Sequence, residues 1–391
     1  MLRPMSRLAA VLVGVGALAA CGELWGITSL SVAPESVDAT TPPPLPDTGG
    51  PPAGDAGRPD ATPACMGAAP PAAPAQSTPS AVSGSFFVAM QTVTFEDPPD
   101  GGEPLGLNLD QDCTCEGPGD DGPASCVGAT PNCDGVDGRD VALPRLVQLF
   151  DALFPGAFEA RFDHLVATGR LSFLIGVVDY DEGPDDVQLG VTGYVASGIV
   201  APDGGSGGAP RWDGTDVWSV DPASESGYKD AGPDSSGVYE PRYFASQAYV
   251  TNGVLVAELP EIALDLGVGT FQIENVILVA RIGTSAAGHT LDGQLVGRCQ
   301  LRNILSFVSG IEDPAMPGAY LCGDDATYLN DVKPAICHAA DVMGDPLLDN
   351  TGAACDCLAV AMGFHAVEAR VGPPVPLPRA VSTCDASDDC P

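Results

Sequence analysis

Alternation of apolar and polar positions dominates the chain from residue 85 onward, and it predicts a succession of strands. Residues 85–96 (SFFVAMQTVTFE) alternate in part and are rich in β-branched and aromatic side chains, as a strand with one buried face requires. Residues 170–178 and 187–197 read the same way, joined by an acidic loop. Residues 243–251 and 254–259 flank Asn252-Gly253, which predicts a type I′ hairpin because both turn positions need positive φ. Further strands are expected over 261–266, 270–282, 289–296 and 357–371. Helical spacing appears in four places: 141–153 behind a capping Asp140, 156–168, 301–309 and 325–343. The expected fold is therefore mainly β, an antiparallel β-sandwich-like domain with a disulfide-stapled loop and several packed helices. An α+β arrangement, or a split into two domains near 202–241, is the alternative.

The N-terminus has another pattern. Arg3 and Arg7 precede an uncharged apolar run, Leu8–Ala17, which is the length of a signal-peptide core and too short to span a bilayer. It ends in Leu18-Ala19-Ala20-Cys21, which resembles the bacterial lipobox, whose cysteine is acylated and becomes the mature N-terminus. That resemblance implies residues 1–20 as a lipoprotein signal peptide, Cys21 as the lipidation site, and an anchor in the outer membrane or cell surface. Residues 21–83 are then a lipidated N-terminus and a Pro/Ala/Gly-rich stalk. They have no aromatic residue between Trp25 and Phe86, too little apolar surface to offset the entropy of ordering. Residues 84–372 form the β-rich body, and 373–391 a Pro-rich tail that contains cysteines.

Charge narrows the partners. The 391 residues include 52 acidic and 16 basic ones, and loss of residues 1–20 leaves 14 basic residues and a formal charge of −38. Such a surface repels nucleic acid and anionic lipid. Thirteen cysteines less Cys21 leave an even twelve, which in an exported chain reads as disulfides. They are Cys65, Cys113, Cys115, Cys126, Cys133, Cys299, Cys322, Cys337, Cys355, Cys357, Cys384 and Cys390. The spacing suggests that Cys113, Cys115, Cys126 and Cys133 pair among themselves and that Cys384 pairs with Cys390. Cys65 would then reach the C-terminal cluster. Zinc is the weaker reading, because Cys113/Cys115 and Cys355/Cys357 are one residue closer than zinc ribbons use.

Candidate chemistry is sparse. Asp179, Asp181, Glu182, Asp185 and Asp186 crowd one loop, and Asn108, Asp110 and Asp112 present alternate oxygens in another. Both are candidate calcium sites, with a hydrated turn as the alternative. Trp212, Asp213, Asp216 and Trp218 form a candidate glycan-binding platform, unless the two rings simply pin a long loop to the core. Gly204-Gly205-Ser206-Gly207-Gly208 matches a nucleophile elbow in letters but lacks the strand and helix around it. The four histidines share no metal-ligand spacing, and no catalytic residue is assigned.

Several motifs together carry a resemblance. Cys113-Thr-Cys115, Cys126 and Cys133 followed by Gly135–Asp140 (GVDGRD), then Trp212–Trp218 (WDGTDVW), Asp292–Arg298 (DGQLVGR), Cys337 with Ala339-Ala340-Asp341, and Cys355-Asp-Cys357 follow one another. This order resembles uncharacterised cysteine-rich exported lipoproteins that occur in divergent copies in myxobacteria. The resemblance covers residues 86–371 and implies an envelope location, with no activity attached. The functional expectation is a lipid-anchored surface binding or adhesion module for a glycan or another envelope component. A structural envelope protein and, less favoured, a secreted hydrolase are the alternatives.

Overall fold

The computed structural model describes residues 67–78, 84–97, 104–114, 125–128, 133–143, 146–147, 159–201, 207–225, 240–265, 269–311, 320–322, 328–377 and 389–390. Cys21, Cys65, Cys115 and Cys384 lie outside them, as do the signal peptide and most of the stalk.

Nine strands are present: β1 (Gly84–Thr94), β2 (Ser172–Tyr180), β3 (Asp186–Ile199), β4 (Val217–Val220), β5 (Tyr243–Thr251), β6 (Val254–Asp265), β7 (Thr270–Ser285), β8 (Gly288–Gln300) and β9 (Cys357–Pro374). β1 pairs with both β2 and β9, and β3 pairs with β5, so eight strands close in the order β1-β2-β3-β5-β6-β7-β8-β9, every pair antiparallel. The expected sandwich is therefore wrong: the body is a closed eight-stranded barrel. A sandwich leaves sheet edges, and here the two that would remain are hydrogen-bonded to each other. The packed helices are also shorter than expected. Those with described bounds are α1 (Glu159–Ala167), α2 (Leu301–Ser309) and α3 (Lys333–His338), and of the helix expected over 141–153 the described Ala142, Leu143, Leu146 and Val147 are helical.

The alternation read from the sequence sorts inside from outside. Val88 and Met90 of β1, Ile175 and Val177 of β2, Leu278 and Ala280 of β7, and Val360 and Met362 of β9 join one buried cluster inside the barrel. At one end the helices add Phe162, Ile304, Leu305, Phe307 and Ile336 to that cluster, and Phe307 meets Phe271 edge-on with ring centres 5.7 Å apart. At the other end Phe86 stacks on His289 at 4.1 Å, and His289 Nδ1 lies 2.9 Å from Glu368 Oε2. The interior is thus a packed core with both mouths stopped. Gln272, Glu274, Arg281, Asp292 and His365 alternate with the inward residues. A membrane-spanning barrel has the opposite arrangement, an apolar band outside and a polar lumen, so this wall is built to face water.

Parts of the outer wall are covered. β4 hydrogen-bonds antiparallel to the end of β3 and parallel to the end of β9. It forms a strap over β1 and β2, whose outward Ala89 and Leu174 are buried beneath Trp218. Residues 105–109 lie on the next part of the wall, where Leu105 and Leu107 pack on Val296 and Ala361. Buried Arg298 ties this segment down. Its guanidinium forks onto Asp349 at 2.7 and 3.0 Å and donates to Leu109 O at 2.7 Å. Residues 67–78, assigned to the stalk from composition, are hydrogen-bonded to the body: Ala68 N–H donates to Asp137 O, and Thr78 N–H to Asp185 O.

The cysteines pair differently from the expectation. Cys126 bonds to Cys355 and Cys337 to Cys390, so neither the first cluster nor the tail closes on itself; Cys113, Cys133 and Cys322 are also in disulfides. Cys299 and Cys357 are buried free thiols, which corrects their assignment to bridges. Cys299 stands opposite Leu358 and Cys357 opposite Gln300. That one-residue offset puts the two sulfurs on opposite faces of the sheet, where no bridge can form. Cys299 belongs to the interior cluster and Cys357 to the outer one with Val342.

Candidate functional site

The acidic loop between β2 and β3 uses its carboxylates locally. Asp181 Oδ1 accepts from Gly183 N–H at 2.7 Å, Asp185 Oδ1 from Asn252 N–H at 2.9 Å, and Asp186 from the N–H groups of Asp181 and Gln188 at 3.1 and 3.2 Å. Asp179 and Glu182 sit in left-handed backbone with φ of 61° and 58° and are exposed. The oxygens thus cap turn amides and hold the neighbouring hairpin.

In the other loop, Asp110 Oδ1 accepts from Asp112 N–H at 2.9 Å, and Asn108 Nδ2 donates to Asp112 O at 2.8 Å. Burial and the nearby Asp110 raise the Asp112 carboxyl above its ordinary value. Behind this loop is a residue read from sequence only as a helix cap. Asp140 is 1% exposed, and its Oδ2 accepts from Leu109 N–H at 2.6 Å. Burial, with repulsion from Asp110 and Asp341, pushes its carboxyl up to about 9. Among the described residues no group of three or more His, Cys, Asp or Glu is arranged to hold a metal ion.

The tryptophans pack into the strap. Trp218 is fully buried, and Trp212 is half-buried beside it, ring centres 5.8 Å apart and tilted by 39°. Asp216 accepts from the backbone N–H groups of Arg211 and Trp212 at 2.8–3.1 Å, and exposed Asp213 bonds Thr215. With Trp218 inside, the pair has no open double face for a sugar. It fastens the strap.

The wall opens between β5 and β6. These strands leave the Asn252-Gly253 turn (φ 50° and 76°) and pair only at Thr251/Val254, Val250/Leu255 and Tyr249/Val256. Beyond that, β5 stays with β3 as far as Tyr243, and β6 stays with β7 as far as Asp265. Two local features part them. Leu189 faces Ala248 and Val191 faces Ala245, so β5 spends three residues where β3 spends two. This is a β-bulge at Ser246-Gln247, which bends the strand away. On the other side Pro260 has no N–H to offer a neighbour.

The opening is a cleft of about 340 Å³ lined by Phe244, Ala245, Ser246, Gln247, Tyr249, Val256, Ala257 and Glu258. Its far end is closed by side chains. Arg242 pairs with Glu261, and Tyr243 Oη donates to Ala263 O at 3.5 Å. At its near end Tyr249 Oη donates to Pro71 O at 2.6 Å, so the body's N-terminal segment passes its rim. Burial, then Glu258, raises the Tyr249 phenol above its ordinary value and keeps it a donor at neutral pH. Phe244 stands 47% exposed beside the opening. The lining has one carboxylate and no histidine, cysteine or cation.

No family model, curated protein or solved structure matches this chain.

None of the cleft residues was singled out from sequence. Two signals were there to find. Ala245-Ser246-Gln247-Ala248 breaks the alternation with two consecutive polar residues, and Pro260 interrupts a strand run. Both are ordinary marks of a bulge or an edge, and neither tells which strand lies opposite.

Proposed function

We propose that this protein is an exported binding module, carried on a lipid anchor at Cys21, whose binding surface is the β5–β6 cleft. The observation behind this reading is the interrupted β5–β6 ladder in an otherwise filled and closed barrel. A packed interior offers no room for a ligand, so recognition falls to the wall, and a strap and a loop cover other parts of that wall. The cleft's volume lies at the small end of the ~300–1,000 Å³ typical of ligand sites. The disulfide framework suits an oxidising compartment, and the order of cysteine and Asp-Gly motifs supports an envelope location.

Two measurements test this. Changing Cys21→Ser should move the protein from the membrane fraction to the soluble one; unchanged detergent partitioning removes the anchor. The mature chain is then screened on a glycan array and against a displayed decapeptide library, beside Ser246→Trp and Leu347→Trp. Ser246 is exposed in the cleft, and Leu347 is exposed elsewhere. Binding that Ser246→Trp abolishes and Leu347→Trp leaves intact supports the cleft. Binding equally strong in both variants, or in neither library, sinks it in favour of a structural envelope role.

A further inference from the structure

We infer that the occupant of the cleft is an extended stretch of basic polypeptide, which completes the interrupted ladder; this rests on the reading of the cleft as the binding surface. What the wall lacks between β5 and β6 is backbone pairing beyond Tyr249/Val256. Ile282 N–H donates to Gly253 O at 2.9 Å, which turns the odd-numbered residues of β6 toward β7 up to Leu259 and leaves Glu258 turned toward β5. Continuing the hairpin register would set Glu258 opposite Gln247, but the pairing stops at Tyr249/Val256. An open strand edge offers donors and acceptors at the repeat of a polypeptide, and another extended backbone matches that repeat. Sugar hydroxyls do not keep that repeat.

Size and charge narrow the occupant further. From Val256 to Glu261 β6 advances five residues, about 16 Å at ~3.3 Å per residue, so four or five residues of an extended peptide span the opening. Exposed Phe244 and half-buried Tyr249 offer aromatic surface to alternate side chains of the peptide. Glu258 is the one charged residue in the lining. Arg242, at the far end of the cleft, is held by Glu261. The formal charge of −36 adds a long-range attraction for cations. A Lys or Arg opposite Glu258 follows.

The test selects a displayed random decapeptide library on the full mature chain and measures the enriched sequences as synthetic peptides by calorimetry. The expected peptides alternate in pattern and share one basic position. N-methylation of alternate amides, which removes backbone donors and leaves side chains, should cost tenfold or more. Glu258→Lys should cost more than tenfold and Glu258→Gln less, and Ser246→Trp should abolish binding. Unchanged unfolding midpoints confirm that these exposed substitutions keep the fold. Peptides that tolerate N-methylation, or an enriched set without a basic position, overturn the inference. If glycans bind and are lost in Ser246→Trp while no peptide is enriched, the peptide inference fails and the cleft reading stands. Binding indifferent to Ser246→Trp defeats both.

Discussion

Replacing Asp140 with asparagine should change how the stability of the barrel depends on pH. Asp140 is buried, accepts one backbone hydrogen bond from Leu109, and faces Asp110 and Asp341. Its folded-state carboxyl is raised from 3.8 to about 9. The folded state therefore holds a proton that the unfolded state releases. Such a group leaves stability intact below the unfolded value and erodes it as pH rises through the folded one. Between pH 3.8 and 7 the loss is about 3 units at ~1.4 kcal/mol each, an upper bound of about 4 kcal/mol. Relaxation of the loop and water entry bring the expectation to about 2–4 kcal/mol.

Asparagine keeps an acceptor for Leu109 N–H and a donor in place of the carboxyl proton, and it never ionises. Asp140→Asn should thus match the parent near pH 4 and exceed it at pH 7–8. With an m-value of about 3 kcal/mol per M for a body of this size, the urea midpoint should rise by about 1 M at pH 7. Urea titrations of both proteins at pH 4.5, 6, 7 and 8, with disulfides intact, measure this directly. Two parallel stability profiles would refute the reasoning, because the Asp140 proton would then not be linked to folding.

Trp218→Ala should loosen the strap. A fully buried aromatic costs about 3–5 kcal/mol when truncated, and hydrogen exchange should speed up in β4 and the ends of β3 and β9 while β7 and β8 stay protected; uniform loss of protection would show that the strap is not a separate unit. Cys299 and Cys357 should resist maleimide in the native protein and label in urea without reductant. Burial raises both thiols above their ordinary values, so labelling in the folded state would place at least one of them at an accessible surface.

The local elements were legible in the sequence. Apolar and β-branched patterning located eight of the nine strands: strands such as β7 have one dry face and one wet face and alternate residue by residue, whereas β2 and the first half of β9 are buried on both faces and read as apolar runs. Asn252-Gly253 marked its hairpin because few residues adopt positive φ twice in succession. Residues 301–309 formed the expected helix with Ile304, Leu305 and Val308 inward. β4 was missed because four residues carry too little alternation, and its burial comes from the strap's position over β1 and β2.

Beyond the Asn252-Gly253 hairpin, only the tertiary structure decided which strand meets which. A sandwich and a barrel demand the same alternation from each strand, so closure through β1/β9 and β3/β5 left no local mark. The Cys299/Cys357 mismatch depends on register across β8 and β9, and register is a pairwise property that neither strand carries alone. Asp140 reads as a helix cap until the fold sets Leu109, Asp110 and Asp341 around it. The cleft has a mixed origin: the hairpin sets β5 beside β6, but the bulge in β5 exists only in its register with β3, which the barrel's closure decides.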